Sequence, residues 1–466
     1  MESDLEYTPK KSWDIYASNQ EREMIFELAD RYLDFITKCK NERKTVEWVR
    51  DRALQAGFSE DVNSSRFFKM AKNKTVLLAR KGRKPFKQGV RLLGAHADTP
   101  RLDFKQFPLH ENNEVAMAKT HYYGGIRKHQ WFSRPLALHG VVVKTDGSSV
   151  EINLGDNQGD PVFVIADLLP HLAGKQNEQT VSKAFEAEKM NVILGNSPVV
   201  DTQDESDKNG ASTDTDKNKV KKHVLQLLSD KYGIKEEDLY SAEIHAVPAG
   251  NASYVGLDKS LLGGYGHDDR ICVFSGLEAM LQEDDPEYNQ VVIFWDKEEI
   301  GSEGATGARS YFMEYCLQDL LDAWEPETKL SELFESAKAV SADVHGGLDP
   351  DYQDLHDQLN ASKLGYGPVF SKFTGHRGKL GANDATAEYV AWFRNLLNNA
   401  GVPWQMAELG KVDMGGGGTV AKFLAMYGMD IIDFGPSVLG MHSPFEITST
   451  ADLYATYLAY REFLKS

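Results

Sequence analysis

What this chain has little of narrows it first. Its 466 residues hold only three cysteines, Cys39, Cys272 and Cys316, far apart and odd in number. They draw no CxxC pair and no disulfide framework, so a reducing, cytoplasmic setting is expected. Positive charge is also scarce, since 52 Lys and Arg stand against 70 Asp and Glu for a formal net charge of −18. Nucleic acid and anionic membranes both call for a basic footprint, so neither is expected as a partner. No run of about 18 apolar residues occurs, and the opening "MESDLEYTPKKSWDIYASNQEREM" lacks the apolar core of a signal peptide. A membrane span and an export signal are both unexpected.

What is present is an ordinary globular balance, 41% apolar and 26% charged, in a chain long enough for two to three domains. The first segment reads as helical: "EREMIFELADRYLDFITKCK" sets Ile25, Leu28, Tyr32 and Ile36 at three- and four-residue spacing. "TVLLARKG" and "GVRLLGAHADTP" follow as strands. From about residue 105 to 252 the character changes to β-rich runs, with a hairpin turn at Thr145-Asp146-Gly147 in "LALHGVVVKTDGSSVEINLG". "VKKHVLQLLSDKYGI" reads as a helix, and Asp201 to Asn218, without Val, Ile, Leu or an aromatic residue, as a solvated loop. After Gly263, strand and helix patterns alternate, from "RICVFSGLEAMLQ" and "VVIFW" to "DIIDFGPS" and "ADLYATYLAYREFL". The expected fold is α/β, a mostly parallel sheet flanked by helices and built from residues 1–104 and 253–466, with a β-rich domain inserted at 105–252.

Ligands of open α/β sheets bind beyond the carboxyl ends of the strands. Five motifs place metal-capable side chains there: "GAHADTP" (His96, Asp98), "GYGHDDR" (His267, Asp268, Asp269), "FWDKEEIGS" (Glu298, Glu299), "VSADVHGG" (Asp343, His345) and "LGMHSPFE" (His442, Glu446). Imidazoles and carboxylates without a thiolate suit zinc, manganese or cobalt in a hydrolytic centre. In His96-Ala97-Asp98, residues two apart share a face, so Asp98 can steady the imidazole. Asp268-Asp269 opens a predicted helix, where backbone N–H groups favour carboxylates, and one of the two could bridge two cations. Glu298 and Glu299 fall in the turn before Gly301, where one can hold metal and the other take a proton from water. Singly, an HxD on a strand is commonly structural, an EE turn a solvated face and a DD pair a helix cap. The histidines His110, His121, His129, His139, His223 and His356 have no such partners in the sequence.

Taken in order, "GAHADTPRLDFK", "GGYGHDDRICVFSGLEAM", "DKEEIGS", "SADVHGGLDP" and "FGPSVLGMHSPFE" resemble the aspartyl aminopeptidase family of di-metal exopeptidases nearly end to end. The resemblance implies two divalent ions per subunit, zinc with cobalt or manganese as alternatives. His96, Asp268 and Asp343 would hold one, Asp268 would bridge, and Glu299 with His442 would hold the other. Glu298 aligns with the general base and Asp98 with its supporting acid. His171 in "IADLLPHLAG" matches a histidine that reaches a neighbouring subunit's site, and a locally satisfied helix histidine is the plain alternative. "VDMGGGGTVAKF", with Gly417, resembles a substrate-side glycine loop; close backbone packing is its plain alternative, and the absent Lys argues against a P-loop.

The implied activity is removal of the N-terminal residue from peptides, with preference for Asp or Glu. That preference is tied to a basic residue in "SKFTGHRGKLGAND", where Lys372, His376, Arg377 and Lys379 are all candidates. The inserted domain would serve oligomerisation, giving a tetrahedral dodecamer with inward-facing sites. A di-metal carboxypeptidase or deacylase shares the ligand logic but grips the other peptide terminus, and a scaffold that had lost catalysis would have no use for a complete ligand set.

Overall fold

The computed structural model describes residues 5–199, 218–282 and 285–466, so the expected polar loop at 201–218 lies outside it but for Asn218. The chain forms two compact units, one of residues 1–99 with 252–466 and one of residues 100–251. The division falls just before the strand Arg101–Asn112, whose ladder with Val115–Tyr123 already begins at Arg101 opposite Tyr123.

The first unit is organised by an eight-stranded sheet. In spatial order its strands are Arg66–Ala71, Thr75–Arg80, Asn289–Trp295, Val90–His96, Ala337–Ser341, Asp430–Gly435, Val369–Ser371 and Gln405–Met406. The four from Asn289–Trp295 to Asp430–Gly435 are parallel, and antiparallel pairs flank them. Asn289–Trp295 is buried along its whole length, so it reads as a continuous apolar run rather than an alternating one. Its faces divide cleanly: Val292 and Phe294 join the core under the helices Asn19–Lys38, His267–Gln282 and Thr450–Lys465. Val291, Ile293 and Trp295 join the core under the helix Phe312–Trp324.

The helix Asn19–Lys38 buries the predicted stripe of Ile25, Leu28, Tyr32 and Ile36. Ser18 and Glu21 close a reciprocal capping box at its start, worth about 1 kcal/mol by comparison with other caps. The helix His267–Gln282 departs from expectation at its first turn. Asp268 (φ −79, ψ 106) and Asp269 (φ −117, ψ 25) are not helical, so the tandem acids precede the regular helix rather than cap it.

A second, five-stranded sheet in the same unit was not foreseen. It runs Ser253–Val255, Leu261–Gly264, Glu446–Ser449, Ser437–Leu439 and His345–Gly346. Strands of two to four residues are too short to carry a period, which is why no pattern announced them.

The second unit is a six-stranded antiparallel sheet with the predicted hairpin, Leu136–Val143 against Ser149–Leu154, and the predicted helix, Lys219–Tyr232. Between Leu154 and Val192 it has short helical turns and single β-bridges at Phe163 and Val164, and exposes Val162, Leu168, Leu169, Leu172 and Val181. Among the described residues no helix is long and apolar enough to cross a membrane.

Candidate metal centre

Strand register in the first unit gathers distant residues at one edge. Trp295 lies beside His96 in the parallel pair, so the turn Glu298–Ile300 leaves the sheet next to that histidine. Ser341 lies beside Gly94 on the other side, and the chain then turns through Asp343. The smaller sheet delivers the rest: Asp268 follows Leu261–Gly264, and His442 lies in the turn between Ser437–Leu439 and Glu446–Ser449.

The side chains converge. His96 Nε2 is 3.1 Å from Asp268 Oδ1 and 3.9 Å from Asp343 Oδ1. His442 Nε2 is 3.1 Å from Asp268 Oδ2 and 3.4 Å from Glu299 Oε2. Asp268 thus turns one oxygen to each histidine. Among the described residues, His96 with Asp268 and Glu299, and His96 with Asp269 and Asp343, are trios whose donor atoms lie within 4.8 Å of one another. Four of the predicted ligands, His96, Asp268, Glu299 and Asp343, are in these trios, and the fifth, His442, reaches them through Asp268 and Glu299.

Asp98 stands behind it. Its Oδ1 accepts the N–H of Glu298 at 3.1 Å and its Oδ2 that of Glu299 at 3.2 Å. Oδ1 also lies 3.4 Å from His96 Nδ1, whose ring nitrogen is 3.1 Å from the carbonyl oxygen of Asp98. One fully buried carboxylate therefore orients the first imidazole and the backbone of both glutamates.

The protonation balance of this pocket follows from burial and crowded carboxylates. Burial pushes Asp269, Glu299 and Asp343 well above the usual carboxylate range, and neighbouring acids add to it. Glu298 is raised by burial to about 7, with His96 pulling it down and the Asp98 and Asp268 carboxylates pushing it up. Burial would also raise Asp268, but His442 and His96 more than offset it and hold this acid below its ordinary value. Burial would lower both histidines; the acids beside them instead hold His96 well above its ordinary value and raise His442 to about 10.

These residues fit divalent cations. Asp268 Oδ1, Asp269 Oδ1 and Glu299 Oε1 are buried and accept no aligned hydrogen bond. Buried carboxylates are costly unless paired or on a metal, and two imidazoles do not balance this many acids. An imidazole–carboxylate donor set with no thiolate suits zinc in a catalytic rather than a structural role.

The other expected site residues lie elsewhere. His171 is in the second unit, exposed on the short turn Pro170–Leu172. Lys372 is half-buried and its carbonyl accepts from Ala385 N–H at 2.7 Å, while His376 and Arg377 are exposed. Lys379 is already engaged, 3.2 Å from both oxygens of Asp384 and 4.0 Å over the ring of Phe373. The glycine loop packs on this segment: Gly375 N–H donates to the Gly417 carbonyl at 2.5 Å. At Gly416 (φ +137) a Cβ would fall 2.2 Å from the Gly375 carbonyl oxygen, so close backbone packing accounts for a glycine there.

The spacing left open which of Asp268 and Asp269 could meet a cation and the resemblance assigned only Asp268, yet the second trio includes Asp269. The signal was the tandem acid itself. His267 and His345 turn their Nδ1 atoms away from the cluster, to the Tyr32 hydroxyl at 2.6 Å and to Ser362 Oγ at 2.9 Å. His139, which has no partner motif beside it in the sequence, pairs with Asp156 at 2.6 Å across a hairpin whose length conceals the pair.

Comparison with known proteins identifies the family. The model of the family described as "Aminopeptidase I zinc metalloprotease (M18)" matches residues 35–464. A probable M18 family aminopeptidase 1 of Clostridium acetobutylicum is 42% identical, with all of both chains covered. One from Thermotoga maritima is 45% identical over 96% of this chain and 97% of its own. A crystal structure of an M18 family aminopeptidase from Thermotoga maritima superposes with a TM-score of 0.91 at 44% identity, over 99% of this chain and 100% of that one. Yeast aminopeptidase 1, at 19% identity and a TM-score of 0.74 over 95% of this chain and 97% of that one, shares the fold. The chain belongs to the M18 family of zinc metalloproteases and is a metal-dependent aminopeptidase.

Proposed function

We propose that this aminopeptidase removes N-terminal residues, preferentially Asp or Glu, at a centre of two divalent cations. The observation that carries the two-cation reading is Asp268, whose two oxygens each lie 3.1 Å from a different histidine. His96, Asp268 and Asp343 would hold one ion; Asp268, Glu299 and His442 would hold the other, with zinc the expected metal and cobalt or manganese as alternatives. Bound there, the ions would polarise the scissile carbonyl and make water more acidic.

The protein's own groups supply the rest. Glu298 is half-buried and carries no ligand duty in this assignment, so its carboxylate is left to take the proton of the attacking water. With its pKa raised by burial to about 7, it can hold that proton near neutral pH and pass it to the leaving amine. Asp98 keeps Glu298 and Glu299 in their different roles through their backbone N–H groups. Of the basic residues, Lys372, His376, Arg377 and Lys379 are the candidates to meet an acidic side chain, Lys379 by exchanging its exposed pair with Asp384. The exposed apolar residues around His171 suit burial against another copy of the chain. That supports a dodecamer in which His171 reaches a neighbouring site, as the family resemblance implies. Three buried free thiols accord with a cytoplasmic setting.

The test is Glu298→Gln. It should keep both metals while kcat falls about 10²- to 10⁴-fold, the usual worth of a positioned acid–base group. Full activity in that variant would refute the assignment, and a panel of Asp, Glu, Leu and Lys aminoacyl substrates checks the preference.

A further inference from the structure

We propose that Glu446 is a positioning residue for the metal centre, clamping the backbones of Asp268 and His442 so that their side chains meet. The inference rests on the assignment of those two residues as ligands.

Glu446 opens the strand Glu446–Ser449 and is fully buried beside Gly264, its register partner. Its Oε1 accepts the N–H of His442 at 2.7 Å, and its Oε2 accepts the N–H of Asp268 at 3.1 Å. Neither donor is part of a regular ladder. His442 sits at φ +65, a left-handed conformation unusual for a side chain of its size, and Asp268 has left helical geometry at φ −79, ψ 106. Without an acceptor, such irregular backbone would leave one buried and one partly buried donor unsatisfied and free to drift. A carboxylate takes both bonds because it has an acceptor on each side, which an amide of the same size lacks.

The arrangement mirrors Asp98, whose two oxygens hold the N–H groups of Glu298 and Glu299. One acid fixes the half of the site that follows the large sheet, and the other fixes the half supplied by the small one. Glu446 is in neither metal-capable trio, and both its oxygens are occupied by backbone donors, so it acts through the ligands rather than as one of them.

The experiment is zinc titration of chelator-stripped full-length protein against a competing chelator, for the parent, Glu446→Gln and His442→Ala. In Glu446→Gln one of two sites should weaken by about 10- to 100-fold, the usual effect of losing a residue that orients a metal ligand. Its kcat should be low at limiting zinc and recover with excess zinc, with the peptide KM unchanged. Should that variant fail to fold, Glu446→Asp, which keeps both oxygens but reaches one methylene less, carries the same expectation. Parental zinc affinity at both sites, or a kcat loss that excess zinc does not restore, would overturn the clamp. His442→Ala separates the two failures. If it loses a site while Glu446→Gln does not, only the clamp is wrong; if it keeps both, the ligand assignment is wrong and the clamp falls with it.

Discussion

Replacing Asp98 by Asn keeps the shape of the side chain and removes one of its acceptors. In the parent, Oδ1 and Oδ2 each take one backbone N–H, from Glu298 and Glu299, and Asp98 is fully buried. The amide can satisfy one donor and must set its own N–H₂ against the other. A buried donor left unsatisfied costs about 1–3 kcal/mol. The turn Glu298–Ile300 keeps part of its surface exposed, with Ile300 facing outward although the Glu299 side chain is buried, so this cost should appear as displacement of the turn rather than as global unfolding. At about 1.4 kcal/mol per factor of ten, that is roughly 5- to 150-fold in the affinity of the ion that Glu299 would hold. Turnover should fall as well, because a misplacement of about 1 Å at the reacting groups costs on the order of 10²-fold. Zinc competition titration gives the first quantity, and kcat at saturating zinc gives the second. An Asp98→Asn protein with parental zinc affinity and parental kcat would refute the idea that this carboxylate sets the geometry of the glutamate turn.

Two further predictions concern stability. In Gly94→Ala the new Cβ would fall 2.2 Å from Cζ3 of the buried Trp295, so overpacking should cost about 1–3 kcal/mol. A denaturant midpoint equal to the parent's would contradict the packing described. Asp452 accepts Ser12 Oγ and Gly367 N–H at 2.7 Å and Gly365 N–H at 2.6 Å, and burial, against those bonds, still raises its pKa to about 6. With the folded value above the unfolded one, the native state binds the extra proton between about pH 4 and 6. Its contribution to stability is therefore fully present below about pH 4, falls as pH rises and levels off above about pH 6. Relative to the non-titrating Asp452→Asn variant, the parent should lose up to about 3 kcal/mol across that window, read from denaturant melts at its two ends; the opposite slope would refute the reasoning.

The sequence by itself determined the elements that are long enough to show a period and the chemistry that sits where they stop. The stripe of Ile25, Leu28, Tyr32 and Ile36 is a helix face, and "VVIFW" is a central strand because a strand covered on both sides must be apolar on both. His96 and the Glu298–Glu299 pair were legible because register in a parallel sheet brings strand ends together. The sequence could not say which oxygens face one another. Asp98 meets the glutamate turn across 200 residues of chain and Glu446 meets Asp268 across 178, distances over which no local pattern carries information. The small sheet that places Asp268 and His442 is made of strands too short to have a period, so only tertiary pairing reveals it. The tandem acids looked like a helix cap by composition. It is the folded backbone, with Asp268 and Asp269 outside the helix, that turns one of them between two histidines and leaves the other beside Asp343.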